Sequence, residues 1–509
     1  MTTTGNPFSL AAVAAAEPER TALVAGGRSY SFRSLLVEQE RAVAWLLAHG
    51  VASGQRCRIA LVARPSLDTL VMIYALLELG VTIVPIHPRL TPVERHALLE
   101  LVAPDLLVPE DWRAADAADA VAADAVAAAA AAATSSIARS GLPAATTPAP
   151  GRDSPGRDGC APLAIIFTSG TGGSPKGVVL SRAAFVASAR GSEENLGWQD
   201  GDRWLLAIPP AHIGGFSIIT RCLLGRRAVV LAASDSASWD AALRQAVEHD
   251  RVTILSLVPA QLAVLIGHEP RWDPPGWVRA ILAGGDAVSP ALLGAAVDRG
   301  WPVLTTYGLT EACSQVTTQR LGTSNRGEQG AGSPIAGMEV RIVDGLIQVR
   351  GPALMAGYHP AELSAQPFTP DGWLRTDDRG QLGHDGRLHL LGRAGDLVVS
   401  GGENVDPTEV EQVLGELPGI AEAVVFGVDH GVWGQVVAAA VTLAPPAAAA
   451  PGDCQATAPA IARHVATRLA SYKRPRLLAV VTELPRSPNG KLSRRAIATA
   501  VRDCLRPLP

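Results

Sequence analysis

Directly after the apolar run Ile165-Ile166-Phe167, the chain places Thr168-Ser169-Gly170-Thr171-Gly172-Gly173-Ser174-Pro175-Lys176. Glycines let successive backbone N–H groups turn toward an anion with no side chain in the way. The hydroxyls of Thr168, Ser169 and Thr171 add donors, and Lys176 adds a mobile positive charge. A strand feeding such a loop describes a cradle for polyphosphate. The spacing is not that of a Walker A loop, which needs G-x-x-x-x-G-K-[ST]. A plain Gly-rich surface turn is the competing reading, and a lysine closing so many hydroxyls weighs against it.

Four further segments carry chemistry-bearing residues: Thr305-Thr306-Tyr307-Gly308-Leu309-Thr310-Glu311, Trp373 to Gly380 with Asp377-Asp378, Gly392-Arg393 through Ser400-Gly401-Gly402-Glu403-Asn404-Val405, and Pro485 to Lys491. Alone, each is weak. A Thr-Glu pair is commonly a solvated helix start, and a lysine in a Pro/Gly-rich loop is commonly just exposed. Gly284-Gly285-Asp286 after the strand-like Val278–Leu282 reads by itself as a turn. His212, in the apolar and Gly-rich Pro209-Pro210-Ala211-His212-Ile213-Gly214-Gly215, reads by itself as a packed core histidine.

The elements that must position these residues follow an α/β rhythm. Phe32 to His49 has helical apolar spacing, Arg58 to Val62 reads as a strand, Leu67 to Leu79 as a helix and Val81 to Pro85 as a strand, which implies a mostly parallel sheet. Residues 112–160 break the rhythm with an Ala-rich, then Pro/Gly/Ser/Asp-rich stretch, read as a surface insertion. The rhythm resumes from Ala161 to about 390. Strand-like Ala423–Gly427, Val436–Leu443 and Leu477–Val481 then mark a small terminal domain. At 509 residues more than one domain is expected. We place the boundary at 392/393, with a hinge near Gly395, giving a large α/β domain (1–392) of parallel and mixed sheets with helices and a small mobile α+β cap (393–509).

A net charge of −4 provides no broad basic field, so nucleic acid is not an expected partner. The six cysteines show no C-x-x-C pair, which argues against zinc and a disulfide framework. The apolar run Leu10–Ala16 has no preceding basic residue and reads as a short helix, not a signal peptide. Asp68, Glu78 and Gly80 interrupt Leu67–Ile86, so no membrane span is expected. A cytoplasmic protein is the resulting expectation. Homo-oligomerisation is left open.

Taken in order from residue 168 to 491, the five segments resemble the acyl-adenylate-forming, AMP-binding superfamily, in its acyl- and aryl-CoA ligase branch. The stretch Pro209 to Ser217 and the tail Glu311-Ala312-Cys313-Ser314-Gln315-Val316-Thr317-Thr318 look most like the o-succinylbenzoate–CoA ligases of menaquinone synthesis. The resemblance implies an ATP-dependent ligase that joins a small-molecule carboxylic acid to AMP and then to the thiol of CoA. It implies that Thr168, Ser169, Gly170, Thr171, Gly172 and Lys176 hold the β- and γ-phosphates. Glu311 would hold Mg2+, Thr310 the α-phosphate, Tyr307 and Gly308 the adenine side, and Asp378 with Arg393 the ribose. Gly284 and Gly285 would line adenine and the acyl pocket. His212, Gly214, Ser314 and Gln315 would border the acid. Lys491 would meet the carboxylate and α-phosphate in the first step, and Gly401, Gly402 and Glu403 would face the thiol channel. Cys313 is expected to serve packing alone.

Three positions depart from the family pattern. Gly395, at the hinge position, stands where many relatives have a charged or polar residue. Gly172 stands where a second Thr is common. Asp377 replaces a glycine; if that glycine has positive φ, Asp tolerates the conformation better than most residues. Other aryl- or fatty-acyl-CoA ligases, a stand-alone enzyme loading a carrier protein, and a non-catalytic family member remain alternatives. A dianionic acid would need Arg190, Arg221 or the Ser314 and Thr317 hydroxyls, and the sequence does not choose among them.

Overall fold

The computed structural model describes residues 6–115, 162–168, 176–232, 238–286, 288–322, 330–360, 367–393, 398–400, 403–430, 434–444, 458–469, 471–486 and 492–508. The chain divides into two compact units. The first contains residues 1–328, 332–339 and 350–367; the second contains 329–331, 340–349 and 368–509.

Two sheets organise the first unit. Its strands are β1 (Thr21–Ala25), β2 (Arg28–Ser31), β3 (Arg58–Val62), β4 (Thr82–Ile86), β5 (Leu106–Leu107), β6 (Pro162–Thr168), β7 (Lys176–Ser181), β8 (Arg203–Leu205), β9 (Ala228–Leu231), β10 (Ile254–Leu257), β11 (Ala280–Ala283), β12 (Val303–Leu309), β13 (Ser314–Thr318) and β14 (Ser333–Pro334). After β15 (Glu339–Val343) and β16 (Leu346–Arg350), β17 (Gly357–His359) returns to it. One sheet runs β14-β13-β12-β11-β10-β8-β9-β1-β2 and the other β17-β7-β6-β4-β3-β5. From β12 through β11, β10, β8 and β9 to β1 the pairs are parallel. Such strands are covered on both faces, which is why they read as unbroken apolar runs. Val230, Leu255, Ile281 and Val303 pack with Trp272 and Trp301 in one of the cores.

Helices connect these strands, and their starts are written in the sequence. Ser31, Ser66, Ser181, Ser238 and Ser289 each accept a backbone N–H from the first turn of the helix that follows. Such a cap contributes about 1 kcal/mol. The expected helices appear as Leu10–Ala16, Phe32–Ala48 and Leu67–Leu79. Among the described residues no helix is long and apolar enough to cross a membrane.

The second unit contains the sheet β15-β16-β18-β19, with β18 at Leu374–Leu382 and β19 at Leu388–Arg393. A further sheet is built from β20 (Val398–Ser400), β21 (Glu403–Val405), β22 (Ile420–His430), β23 (Gly434–Leu443), β24 (Leu477–Val481) and β25 (Arg506–Pro507). Alternate residues of β22 and β23 enter opposite cores: Val425, Val437 and Ala439 pack with Val410 and Ile461, whereas Val424, Phe426 and Ala438 pack with Leu484 and Ile497. That period of two is the pleat itself.

Candidate active site

The segment expected to cradle polyphosphate lies between β6 and β7, which pair antiparallel with Thr168 opposite Lys176. Thr168 Oγ1 donates to the Lys176 carbonyl at 3.5 Å. The pair is held on its far side by β17, where Tyr358 pairs with Val178. Ser169, Gly170, Thr171 and Gly172 lie outside the described residues, as do Gly401, Gly402 and Lys491.

β17 brings in a residue that the sequence reading did not single out. Tyr358 donates its hydroxyl to Glu311 Oε1 at 2.8 Å, and Lys176 Nζ sits 5.5 Å from the centroid of the same ring. One phenol therefore links the loop lysine to the expected metal-binding carboxylate. Glu311 is half-buried in a single 3-10 turn, Thr310–Ala312, between β12 and β13. Its own carbonyl accepts from Met355 N at 2.8 Å. The signal was present in the sequence as Ala356-Gly357-Tyr358-His359, a hydroxyl-bearing aromatic beside a glycine in a short edge strand.

The turn between β12 and β13 is tight. Cys313 and Ser314 both adopt positive φ, 53° and 96°. A Cβ on Gly308 would overlap the carbonyl oxygen of Ser314. Gly308 is thus a requirement of the close pairing between these strands, and it sits half-buried beside the buried Tyr307. Just after the neighbouring β11, a Cβ at Gly284 would come within 2.6 Å of Thr306 Cγ2 and 2.8 Å of its carbonyl oxygen. Gly285 has φ +83°. Both glycines therefore belong to the same strand ends as Tyr307.

Behind Ser314 and Gln315 lies a buried polar cluster. Gln315 Nε2 donates to Thr318 Oγ1 at 2.7 Å, while Gln315 Oε1 is buried with no hydrogen-bond partner. Ser188, on the helix Arg182–Leu196, donates to the Cys313 carbonyl at 2.6 Å and accepts from Arg221 at 3.0 Å. Arg221 comes from the helix Ile213–Gly225 and is 3% exposed. Among the described residues no carboxylate lies within ion-pair distance of it, and its Nε is buried without a partner. Burial lowers its pKa to about 10. Arg190, in contrast, is exposed. Of the two arginines considered for a second substrate charge, only Arg221 is in the interior.

His212 caps the N-terminus of the same helix, and its ring lies 4.9 Å from that of His87. Burial holds the pKa of His87 below the ordinary histidine value, with Arg89 adding to the effect. Gly214 and Gly215 open the helix. A Cβ on Gly215 would collide with the backbone of Ile208 and Pro209, so the glycine lets the helix start pack directly on that loop. Cys313 is fully buried and its thiol pKa is pushed up to about 12 by burial, consistent with packing.

In the second unit, Asp378 pairs with Arg393 across β18 and β19. The Asp378 N–H donates to Thr376 Oγ1 at 3.2 Å, and Thr376 in turn donates to the Ile347 carbonyl at 2.7 Å. Asp377 is exposed and does not have positive φ. The aspartate is an ordinary strand residue there, and the conformational concern about replacing glycine does not arise.

Residues 10–359 match the AMP-binding enzyme family, and residues 409–491 match the AMP-binding enzyme C-terminal domain. The chain belongs to the AMP-binding enzyme family.

Its sequence is 32% identical over 495 residues to the 2-succinylbenzoate–CoA ligase of Bacillus licheniformis, covering 94% of this chain and 97% of that protein. It is 35% identical over 351 residues to the Bacillus cereus protein of the same name, covering 67% and 70%. Its fold is similar to o-succinylbenzoate CoA synthetase (MenE) from Bacillus subtilis in complex with the acyl-adenylate intermediate OSB-AMP, with a TM-score of 0.79, 30% identity and coverage of 97% and 98%. Within this family the protein is an AMP-forming acid–thiol ligase, as its five motifs imply.

Proposed function

We propose that the protein activates 2-succinylbenzoate with ATP and transfers the acyl group to CoA. The observation that carries the choice of acid is Arg221, a buried guanidinium with no carboxylate within ion-pair distance among the described residues, joined through Ser188 to the Cys313 carbonyl two positions before Gln315. Burying an unpaired cation is expensive. A diacid supplies the missing anion with its second carboxylate while its first reacts. The names of the relatives support the same acid.

In the first step an oxygen of the reacting carboxylate attacks the α-phosphorus of ATP. The bond to the bridging oxygen breaks, and pyrophosphate leaves with the electron pair. Negative charge builds on phosphoryl oxygens, so fixed donors lower the barrier. We assign the 168–176 loop and Lys176 to the β- and γ-phosphates, Thr310 to the α-phosphate, Tyr307 to adenine, and Asp378 with Arg393 to the ribose. Glu311 presents hard carboxylate oxygens, with one held by Tyr358, and this fits Mg2+. When bound, that ion neutralises phosphate charge. We assign Lys491 to the carboxylate and α-phosphate. In the second step the CoA sulfur attacks the acyl carbon and AMP leaves; Gly401, Gly402 and Glu403 are assigned to the thiol channel. His212 and Gly214 border the acid with no proton transfer required. We retain a hinge near Gly395 between the two steps, and we place the enzyme in the cytoplasm, where ATP and CoA are available.

The test is acid-dependent pyrophosphate release and thioester formation with 2-succinylbenzoate, a simple aryl monoacid and a fatty acid. Thioester formation should be fastest with 2-succinylbenzoate. Robust turnover of a monoacid with none of the diacid would overturn the substrate assignment. Transfer to a carrier-protein phosphopantetheine but not to free CoA would overturn the thiol assignment.

A further inference from the structure

Of the assigned residues, Gly284 and Gly285 follow β11 and Tyr307 lies in the C-terminal half of β12, towards the C-terminal ends of these parallel strands. At the opposite ends lies a cavity of about 510 Å³, reached by the first residues of β1, β8 and β9 and by the residues just before β10 and β11. Strand length separates the two edges, on the order of 15 Å at about 3.3 Å per residue.

The cavity's charge is unbalanced. Five arginines line it (Arg20, Arg203, Arg227, Arg251 and Arg279) against two carboxylates, Asp200 and Asp202. Asp202 is fully committed. It accepts from Arg279 at 2.8 and 2.6 Å, from Thr253 Oγ1 at 2.9 Å and from Gln199 N at 2.8 Å. Asp200 is 97% exposed and shared, 3.3 Å from Arg20 and 3.6 Å from Arg227. Outside the lining, Glu17 is already bonded to Arg20 and Arg226, and the Asp250 carboxyl lies in the field of Arg203. Arg203 donates to the backbone carbonyl of Asp250 at 2.8 Å. Arg251 lies 4.8 Å from the ring centroid of Trp277. Among the described residues neither has a carboxylate within ion-pair distance. Arg227 Nε is buried with no partner, and burial together with the adjacent Arg20 charge lowers the Arg227 pKa.

We propose that this cavity is a second anion site, taking a compact ligand with at least two negative charges on phosphate or carboxylate oxygens. Guanidinium forks match such oxygens in paired hydrogen bonds. The cavity has the size of a small-metabolite site, and the partly exposed Trp277 ring gives it one apolar wall.

Calorimetric titration of the full-length enzyme, saturated with a non-hydrolysable ATP analogue to fill the nucleotide site and its β- and γ-phosphate positions, tests the proposal. Inorganic phosphate and citrate are the two probes, each against a chloride control of equal ionic strength. Saturable binding of at least one is expected, and the better probe tells phosphate from carboxylate chemistry. Arg251→Gln and Arg227→Gln should each weaken it by about tenfold, the effect of one charge-assisted hydrogen bond, whereas Lys176→Ala should leave it unchanged. Gly276→Glu provides a check that removes no arginine. A Cβ at Gly276 meets nothing within 4 Å, so the added carboxylate should occupy the cavity and compete with both probes. Thermal unfolding of each variant without anion reports folding. No saturable binding of either probe to the wild-type enzyme, or binding lost in Lys176→Ala but retained in the arginine variants and in Gly276→Glu, would overturn the proposal.

Discussion

Tyr358 and Arg221 are the two residues whose roles come from their surroundings. Tyr358→Phe removes the hydroxyl that holds Glu311 Oε1 and keeps the ring near Lys176. A hydrogen bond to a charged group contributes about 1.5–3 kcal/mol. The variant should therefore need roughly tenfold more Mg2+ for half-maximal pyrophosphate release, as read from a Mg2+ titration at saturating acid. An unchanged Mg2+ midpoint would separate Tyr358 from the carboxylate. Arg221→Met gives a prediction of mixed sign. Replacing an uncompensated buried cation with an apolar side chain is neutral or stabilising, so the melting temperature should hold or rise. At the same time kcat/KM for 2-succinylbenzoate should fall about 10- to 100-fold. A monoacid should lose far less. Equal loss on both acids would mean that Arg221 supports the fold of the pocket and not the second carboxylate.

At the scale of elements, the site depends on how closely strands approach. Gly308→Ala forces β12 away from the Ser314 carbonyl. Overpacking of this kind costs about 1–3 kcal/mol, and here the obstacle is backbone, so the upper end is expected. Chemical denaturation should show the loss, and adenylation should fall with it because Thr310 and Glu311 follow within one turn. The loop before β11 carries a different device. Asp273 accepts from Trp301 Nε1 and Arg299 Nε, each at 2.8 Å, and from Arg271 Nε at 2.8 Å. These hydrogen bonds, that of Trp301 first, lower its pKa to about 2. A carboxylate whose folded pKa is depressed stabilises the protein above its unfolded value near 3.9 and loses that contribution as the pH falls toward 2. Its side chain is 38% exposed, so screening keeps the effect modest. Thermal midpoints measured between about pH 5 and 2 should fall less steeply in Asp273→Asn than in the wild type. Parallel curves would show that the ion pairs contribute nothing.

At the scale of the whole molecule, the proposed two-step reaction requires one chain to present different residues in turn. Proline fixes φ near −65°, so Gly395→Pro should restrict a hinge at that position. Adenylate formation and thioester formation from supplied acyl-AMP should then be affected unequally, with one step retained and the other slowed by at least about tenfold, on the order of 1.4 kcal/mol. Equal effects on both steps would argue against a hinge there.

Local order alone carried much of this protein. The apolar runs of β3 and β4, the serine caps and the order of five motifs are properties of neighbouring residues: the runs state a strand buried on both faces, the serines a helix start, and the motif order the family. The family and its chemistry followed from those motifs because phosphate binding needs glycine, hydroxyl and cation in one short segment. What the tertiary structure decided is juxtaposition. Tyr358 meets Glu311 across 47 positions because β17 adds to the edge of β7. Arg221 outranks Arg190 because its helix, Ile213–Gly225, buries it, whereas Arg190 lies on the exposed face of the helix Arg182–Leu196. Five arginines share a cavity because parallel strands begin at one edge. Side-chain burial and long-range pairing depend on how sheets and helices close over one another, which no single segment encodes.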